Sequence, residues 1–191
     1  GAGSGKTRVL TSSIAYKIKE KNVDPRNILA ITFTNKAANE MKERVSEELG
    51  HDVSYLRIGT FHSICARILR MNIDKIGYDR NFTIYDTSDQ KTLVKDIIKD
   101  LNYKDDISPR DALNVIGFCK NKSLSPEEFA NINTFFAKQD EFYNIYKNYE
   151  IKKKEYNALD FDDLIEKVLV LFAKDPQTLQ YYQDKFEYVY V

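Results

Sequence analysis

The start of the chain carries the residues best suited to phosphate chemistry. They run without interruption: Gly1, Ala2, Gly3, Ser4, Gly5, Lys6, Thr7 and Arg8. The glycines allow a tight turn whose backbone N–H groups point into one anion-sized concavity. Lys6 can reach the β- and γ-phosphates of a nucleotide, and the Thr7 hydroxyl can ligate Mg²⁺. The run fits the pattern G-x-x-x-x-G-K-[ST] from its second position, so it predicts a phosphate-binding loop for ATP.

The alternative for this segment is a flexible glycine-rich terminus. We prefer the phosphate-binding loop because Gly5, Lys6 and Thr7 lead straight into an amphipathic helix, the context that the motif requires. That helix, predicted from residue 7 to about residue 20, has an apolar stripe at helical spacing made of Val9, Leu10, Ile14 and Ile18. Its N-terminal dipole would add to the anion site.

The elements that follow the first helix alternate between strands and helices. Residues 28–31 form a short apolar run typical of a strand buried on both faces of a parallel sheet. A helix that stops at Gly50 comes next, then a strand over residues 55–59 and a helix starting at 60–63. This alternation predicts a parallel α/β sheet, with its ligands at the carboxyl ends of the strands. Segments 1–7, 32–36 and 59–63 lie at those ends.

Beyond residue 76 the patterns are mainly helical. Residues 82–85 and 188–191 read as strands, and residues 135–156 as one long aromatic-rich helix. Five further helix starts are predicted from capping residues and prolines: Thr87 with Gln90, Ser108-Pro109, Ser125-Pro126 with Glu128, Asp160, and Asp175-Pro176. The pattern indicates a helical insertion that interrupts the sheet, with the last strand returning to it.

Composition narrows the functional classes. The 191 residues carry no net charge, which argues against a protein that coats nucleic acid generally. Residues 1–76 hold 13 basic and 8 acidic residues, a net of +5, and the remainder has a net of −5. A basic front half could face phosphates, or the asymmetry could be ordinary surface variation.

No apolar run approaches the ~20 residues of a membrane span. Two cysteines without metal spacing, Cys65 and Cys119, predict buried thiols and a reducing, cytosolic compartment.

Four segments in order resemble the N-terminal part of superfamily 1 DNA helicases of the UvrD/Rep/PcrA type. The segments are 1–7, 31–38, 59–63 and 159–164, whose last part reads Leu-Asp-Phe-Asp-Asp-Leu. The resemblance implies an α/β fold, a P-loop NTPase (RecA-like) parallel sheet interrupted by a mainly helical insertion domain. It assigns residues 1–61 and 186–191 to the RecA-like domain 1A, and residues 62–185 to the insertion 1B.

The resemblance also implies the chemistry. It assigns Lys6 and Thr7 to catalysis of ATP hydrolysis, with Thr7 as a ligand of Mg²⁺. It assigns single-stranded DNA binding to two segments: Thr32, Phe33, Thr34, Asn35 and Lys36, then Thr60, Phe61 and His62. The implied function is 3′–5′ DNA translocation and duplex unwinding in repair or replication. The implied partners are single-stranded DNA, its junction with duplex DNA, and repair or replication proteins.

The same family pattern places an Asp-Glu pair after a strand like 188–191, and places a second RecA-like domain beyond it. We therefore expect a fragment that does not hydrolyse ATP alone. Two other functions remain open: a non-motor ATP switch with a helical protein-binding module, and a subunit of a helicase-nuclease. DNA-stimulated ATPase activity separates the motor from the switch, because a switch should not respond to single-stranded DNA.

Several candidate residues have a structural alternative. Phe33 could be a core aromatic, His62 could cap or pack, and Phe61 is expected to pack. His51 is expected in a solvated loop. Three acidic residues could suggest a metal, but capping of a helix explains them better: Asp160, Asp162 and Asp163. The run of Lys152, Lys153 and Lys154 is expected to form a solvated face, with a duplex-DNA contact as the alternative.

Overall fold

The computed structural model describes residues 4–53, 55–132 and 136–191. Its elements separate into two compact units, Gly1–Asn72 with Val168–Val191 and Ile73–Lys167. These boundaries fall inside the predicted insertion limits of 62 and 185. Among the described residues, no helix has the length and apolarity needed to cross a membrane.

The first unit contains a parallel three-stranded sheet, as the alternating pattern predicts. The strands are β1 (Ile28–Thr32), β2 (Arg57–Thr60) and β5 (Tyr188–Tyr190), and β1 lies between the other two. The predicted return of the last strand to the sheet is therefore confirmed. In β1, Ile28 and Ala30 are buried but Leu29 and Ile31 are only half-buried. The prediction of burial on both faces is thus met on one face only.

Four of the described α-helices lie wholly in this unit. They are α1 (Ser4–Lys19), α2 (Asn35–Leu49), α3 (Phe61–Asn72) and, at the other end of the chain, α9 (Pro176–Lys185). α1 begins three residues earlier than predicted, because its apolar stripe starts at Val9 and cannot locate the first turn. The core joins α1, α2 and the strands through small and branched side chains, among them Ile14, Ile28, Ala38, Val45 and Ile58. Gly50 ends α2 in a left-handed conformation with φ of 76°, which glycine adopts without strain.

The second unit is mainly helical. Its helices are α4 (Thr87–Asp100), α5 (Pro109–Asn121), α6 (Pro126–Ala130) and α7 (Gln139–Glu155), and α8 (Phe161–Lys174) begins in it. The core packs apolar faces of α4, α5, α6 and α7 together, with Val94, Cys119, Phe129, Ile145 and Tyr149 at most 1% exposed. The predicted helix start at Ser125 with Glu128 is confirmed as a reciprocal capping box. α7 is shorter than the predicted helix, because it begins at Gln139.

In this unit one local prediction is wrong, the strand predicted at residues 82–85 is confirmed, and one strand was not predicted. The capping box before α4 is formed by Asp86 and Asp89, one residue ahead of the predicted pair Thr87 and Gln90. A second sheet is also present, in which β3 (Thr83–Tyr85) pairs in parallel with β4 (Ala158–Asp160). The sequence shows no sign of β4, because three residues carry no recognisable alternation. This sheet brings Tyr85 opposite Asp160, the residue that precedes α8.

Candidate functional site

The phosphate-loop segment lies at the start of α1. Gly1, Ala2 and Gly3 fall outside the described residues, and Ser4 is described only as the first residue of the helix. Gly5, Lys6 and Arg8 are exposed and Thr7 is half-buried. The first turn of α1 contains no acidic residue. The donors and charges that the structure describes here therefore suit an anionic ligand.

The two segments predicted to bind DNA meet at one edge of the sheet. Thr32, the last residue of β1, is the parallel partner of Thr60, the last residue of β2. α2 starts at Asn35, three residues after Thr32, and α3 starts at Phe61, directly after Thr60. Two helix N-termini therefore begin at the same carboxyl edge of the sheet.

Each of these helix starts is capped by a threonine. The Thr34 hydroxyl accepts a hydrogen bond from the Ala37 amide at 3.1 Å, and the Thr60 hydroxyl accepts one from the Ser63 amide at 3.1 Å. In return, the Ser63 hydroxyl donates to the Thr60 carbonyl at 2.9 Å. An accepting hydroxyl still has a proton to give, so Thr34 and Thr60 keep a donor for a phosphate oxygen.

Acidic residues are absent from the first turns of α2 and α3, as they are from that of α1. Every helix from α4 to α8 carries at least one there, while α9 has none. Acidic residues in the first turn stabilise a helix through its dipole. Their absence next to the sheet edge leaves the positive ends of α2 and α3 without a carboxylate from their own first turns.

The side chains at this edge point to solvent. Phe33 is 103% exposed, so the alternative that it closes the core is contradicted. Phe61 is 47% exposed, and the expectation that it packs is wrong because the first residue of α3 lies at the rim of the sheet. Asn35, Lys36 and His62 are exposed as well. The edge therefore combines two accessible aromatic rings with polar and cationic groups.

Two residues that the prediction left out shape this edge. Gly59 is buried in β2, and a Cβ there would lie 2.6 Å from the Ser63 Oγ. Gly59 therefore lets the first turn of α3 approach the strand closely, and Ser63 uses both its amide and its hydroxyl on Thr60. The predicted motif segment 59–63 contained both residues, but spacing alone could not show which of them contact each other.

The lysine run of the second unit corrects another prediction. Lys153 is 2% exposed, so this residue does not belong to a solvated face. Its Nζ lies 2.6 Å from Oδ2 of Asp163 and 3.1 Å from Oδ2 of Asp160. Its neighbour Lys154 donates to the Gly77 carbonyl and lies over the Tyr78 ring. Lys153 looks solvated in sequence because two of its counterions, Asp160 and Asp163, come from other elements.

Lys153 belongs to a charge cluster whose centre is buried, while Glu166 at its margin is exposed. We use that name for seven side chains: Lys120, Tyr149, Glu150, Lys153, Asp160, Asp163 and Glu166. Lys120 pairs with Asp163, and its Nζ lies 3.1 Å from Glu166 Oε2 and 3.4 Å from Glu150 Oε1. The Tyr149 hydroxyl donates to Asp160 at 2.8 Å. Glu150 Oε1, 3.0 Å from Lys153 Nζ, makes an ion pair without hydrogen-bond geometry. The cluster ties α5, α7, β4 and the start of α8 together.

Two of the three acidic residues at the start of α8, Asp160 and Asp163, serve as caps as predicted, whereas Asp162 is exposed. The Asp163 amide donates to Asp160 Oδ1 at 2.9 Å, and the Asp160 amide donates to Asp163 Oδ2 at 3.0 Å. Lys153 reaches both of these carboxylates. Among the described residues, no group of side chains is arranged to hold a metal ion. The arrangement is that of a charged helix start neutralised by buried lysines.

The charges in the cluster shift each other's pKa values. Burial would raise the pKa of Asp163, but Lys153 and Lys120 hold it well below its usual range. Burial would lower the pKa of Lys120 and Lys153, yet the surrounding carboxylates, Asp163 first, raise both. Burial and the charge of Asp160 raise the pKa of Tyr149. All four groups therefore keep their ordinary charge states at neutral pH.

The two cysteines are buried, as predicted. Burial raises the pKa of Cys65 to about 11 and that of Cys119 to about 11. Both thiols stay protonated at neutral pH and are weak nucleophiles, since the thiolate is the reactive form. His51 lies in an exposed loop, as expected.

The chain matches the UvrD/REP helicase N-terminal domain family over residues 1–191. It is 50% identical over 192 residues to the "ATP-dependent DNA helicase PcrA" of Bacillus subtilis. Proteins of the same name from Staphylococcus epidermidis and Staphylococcus aureus are 48% and 47% identical. Each alignment covers 100% of this chain but 26% of the relative, so the chain spans only part of their length. The predicted resemblance is confirmed, and the chain belongs to the UvrD/REP helicase N-terminal domain family.

Proposed function

We propose that this chain is part of an ATP-dependent DNA helicase that moves 3′ to 5′ along single-stranded DNA and unwinds duplex DNA in repair or replication. The observation that carries the proposal is the edge formed by Thr32 and Thr60. There the N-termini of α2 and α3, whose first turns contain no acidic residue, lie beside a fully exposed Phe33. The similar bacterial proteins, which are named ATP-dependent DNA helicases, support the helicase part of this proposal.

The two compact units support a division of labour. We propose that the unit containing the β2-β1-β5 sheet is the RecA-like domain 1A. The mainly helical unit, Ile73–Lys167, would be the insertion 1B. Parallel strands followed by helices suit a nucleotide-binding domain, because ligands of such sheets gather at the carboxyl ends of the strands.

The nucleotide site would lie at the start of α1. We assign the phosphates of ATP to segment 1–8, with Lys6 as the cation for the β- and γ-phosphates and the Thr7 hydroxyl as a ligand of Mg²⁺. The fit rests on the exposure of Lys6 and Arg8 and on a first turn without carboxylates. A bound metal ion would neutralise charge that develops on the phosphates. The residues of this chain would bind and orient the phosphates of ATP.

Single-stranded DNA would bind at the sheet edge. The Phe33 ring is accessible for stacking on a base, which requires no particular sequence. Thr34 and Thr60 can donate their hydroxyl protons to phosphate oxygens, and Lys36 adds a positive charge. His62 and Asn35 are exposed beside them. We propose the junction between single-stranded and duplex DNA as the physiological substrate.

The proposal is tested by ATP turnover of the full-length protein with and without saturating single-stranded DNA. Wild type should be stimulated by DNA, and Lys6→Ala should abolish turnover while leaving nucleotide-free DNA binding nearly unchanged. Lys19→Ala, an exposed lysine in the last turn of the same helix, is the matched control and should behave as wild type. Turnover of Lys6→Ala within threefold of wild type would reject the nucleotide site. ATP turnover by wild type that is the same with and without single-stranded DNA would favour a non-motor ATP switch.

A further inference from the structure

The Thr32 hydroxyl is hydrogen-bonded to the backbone of its own segment. Its Oγ1 donates a hydrogen bond to the Thr34 carbonyl at 3.0 Å. The Gly59 carbonyl, on the neighbouring strand, lies 3.5 Å from the same Oγ1 and is a longer second acceptor. Thr32 is half-buried at the end of β1. Its proton is therefore directed at backbone carbonyls of both segments that form the edge.

This use of the proton distinguishes Thr32 from the other two threonines. A hydroxyl has one proton to donate, and a phosphate oxygen only accepts hydrogen bonds. Thr34 and Thr60 accept from backbone amides and keep that proton. Thr32 has already given its proton to a carbonyl. As long as that bond holds, the side chain of Thr32 has no proton left to donate to a phosphate.

The acceptor of this bond is well placed to control Phe33. The Thr34 carbonyl also accepts the first hydrogen bond of α2, from the Ala38 amide at 3.1 Å. Phe33 is the single residue between Thr32 and Thr34, and it is 103% exposed. The Thr32 bond thus links the residues on both sides of Phe33. It restrains the backbone of Phe33 relative to the N-terminus of α2.

We propose that Thr32 is a positioning residue that orients Phe33 for base stacking and does not itself bind the DNA strand. The inference rests on the proposed function, because it presupposes that Phe33 contacts single-stranded DNA. It assigns Thr32 a different role from the direct contact implied by the family resemblance. It also predicts that loss of the Thr32 hydroxyl acts on DNA only through the Phe33 ring.

The test is a double-mutant cycle in the full-length protein, with a fluorescent oligothymidine as the probe and anisotropy as the readout. Thr32→Val removes the hydroxyl at nearly constant shape and should weaken binding about 2- to 12-fold, the range for a lost neutral hydrogen bond. Thr32→Ser keeps the hydroxyl and should bind within twofold of wild type. In a Phe33→Ala background, Thr32→Val should change the affinity less than twofold, because the group it positions is gone.

Kinetics provide a second readout. Thr32→Val should raise the DNA concentration needed for half-maximal ATPase stimulation and leave the maximal rate unchanged. If Thr32→Val lowers the melting temperature, Thr32→Ala, which cannot overfill the site, replaces it in the cycle. If Thr32→Val reduces the affinity for the oligothymidine equally with and without the Phe33 ring, the inference is overturned and Thr32 contacts the DNA directly. Unchanged affinity of Thr32→Val would overturn it too. Phe33→Ala without any loss of affinity would instead reject the stacking in the proposed function.

Discussion

Nζ of Lys153 lies 2.6 Å from Oδ2 of Asp163, and each side chain is 2% exposed. These two residues join α7 to the start of α8 inside the mainly helical unit. A buried charge is tolerated when it is paired and hydrogen-bonded, and removing one partner leaves the other uncompensated. The pair is therefore a point at which a single substitution should strongly affect stability.

Lys153→Met should destabilise the protein by about 3–5 kcal/mol, the usual cost of breaking a buried ion pair by removing one partner. Methionine fills similar space, so the loss reports the carboxylates left behind: Asp160 loses its ion pair with Lys153, and Asp163 keeps its pair with Lys120. Lys152→Met is the matched control on the same helix. Lys152 is 39% exposed, pairs with Glu155 at 3.6 Å and lies 6.0 Å from the centroid of the Tyr156 ring, so its loss should cost at most about 1 kcal/mol. Urea unfolding at pH 7 measures both, and equal midpoints would contradict the prediction.

The lowered pKa of Asp163 makes stability depend on pH in acid. A carboxyl whose pKa is lower in the folded than in the unfolded state stabilises the fold above the unfolded value of about 3.9. This stabilisation is lost as the pH falls from about 5 toward the lowered folded pKa. Lys120 and Lys153 have raised pKa values, so their contribution is present throughout this range and is lost only at strongly alkaline pH.

Asp163→Asn should therefore be less stable than wild type at pH 7. Between pH 5 and pH 3, its free energy of unfolding should fall less than that of wild type. Asp162→Asn is the control next to it, because burial raises the pKa of Asp162 instead of lowering it. In Asp162→Asn, the free energy of unfolding should fall between pH 5 and pH 3 as much as it does in wild type, or slightly more. Free energies of unfolding from urea titrations across this range would show the difference. An Asp163→Asn slope as steep as that of wild type would exclude Asp163 as the titrating group.

The buried lysines also show where sequence reasoning stops. Periodicity and capping residues predicted most helices, and Ser108 and Ser125 mark the starts of α5 and α6 as expected. These signals are local, so they are visible in a single sequence. The burial of Lys153 depends on Asp160 and Asp163, which come from other elements. β4 was missed for the same reason, because its pairing partner β3 lies far away in the chain.

The candidate site was predicted from motifs and was refined by contacts. The segments around Thr32 and Thr60 were assigned to one sheet edge, and the register places them opposite each other. The sequence could not tell that Phe61 would be exposed, because apolar residues at helix starts occur in both packed and accessible positions. Nor could it separate the three threonines, since their roles depend on the direction of each hydroxyl proton.

Phe33→Ala should weaken binding of single-stranded DNA by about 1–3 kcal/mol, the usual cost of losing one base–aromatic stack. The melting temperature should change little, because a fully exposed ring leaves no cavity. A core phenylalanine would instead cost about 3–5 kcal/mol of stability. Phe118→Ala, an exposed phenylalanine on α5, is the control and should leave DNA affinity unchanged. Anisotropy and thermal melting on the same samples separate the outcomes, and a large melting loss would reject stacking.

The final prediction concerns Gly59 and Ser63, whose close approach shapes the start of α3. An alanine Cβ at position 59 would meet the Ser63 Oγ at 2.6 Å, so the hydroxyl must rotate away from the Thr60 carbonyl. Losing that bond should cost about 0.5–1.5 kcal/mol. In a Ser63→Ala background the obstacle is absent, since the Ser63 Cβ is 3.9 Å away. Gly59→Ala should then be neutral or stabilising by about 0.4–1 kcal/mol, because alanine restricts the unfolded chain.

Urea unfolding of the four proteins in this cycle measures the coupling between positions 59 and 63. Gly59→Ala should be less favourable with Ser63 present than in the Ser63→Ala background, by at least about 0.5 kcal/mol. Gly50→Ala is an informative comparison, because Gly50 needs a positive φ of 76° and no neighbour lies within 4 Å of its added Cβ. Its cost should come from backbone strain and be the same in both backgrounds. Equal effects of Gly59→Ala in the two backgrounds would mean that the Ser63 hydroxyl does not limit position 59.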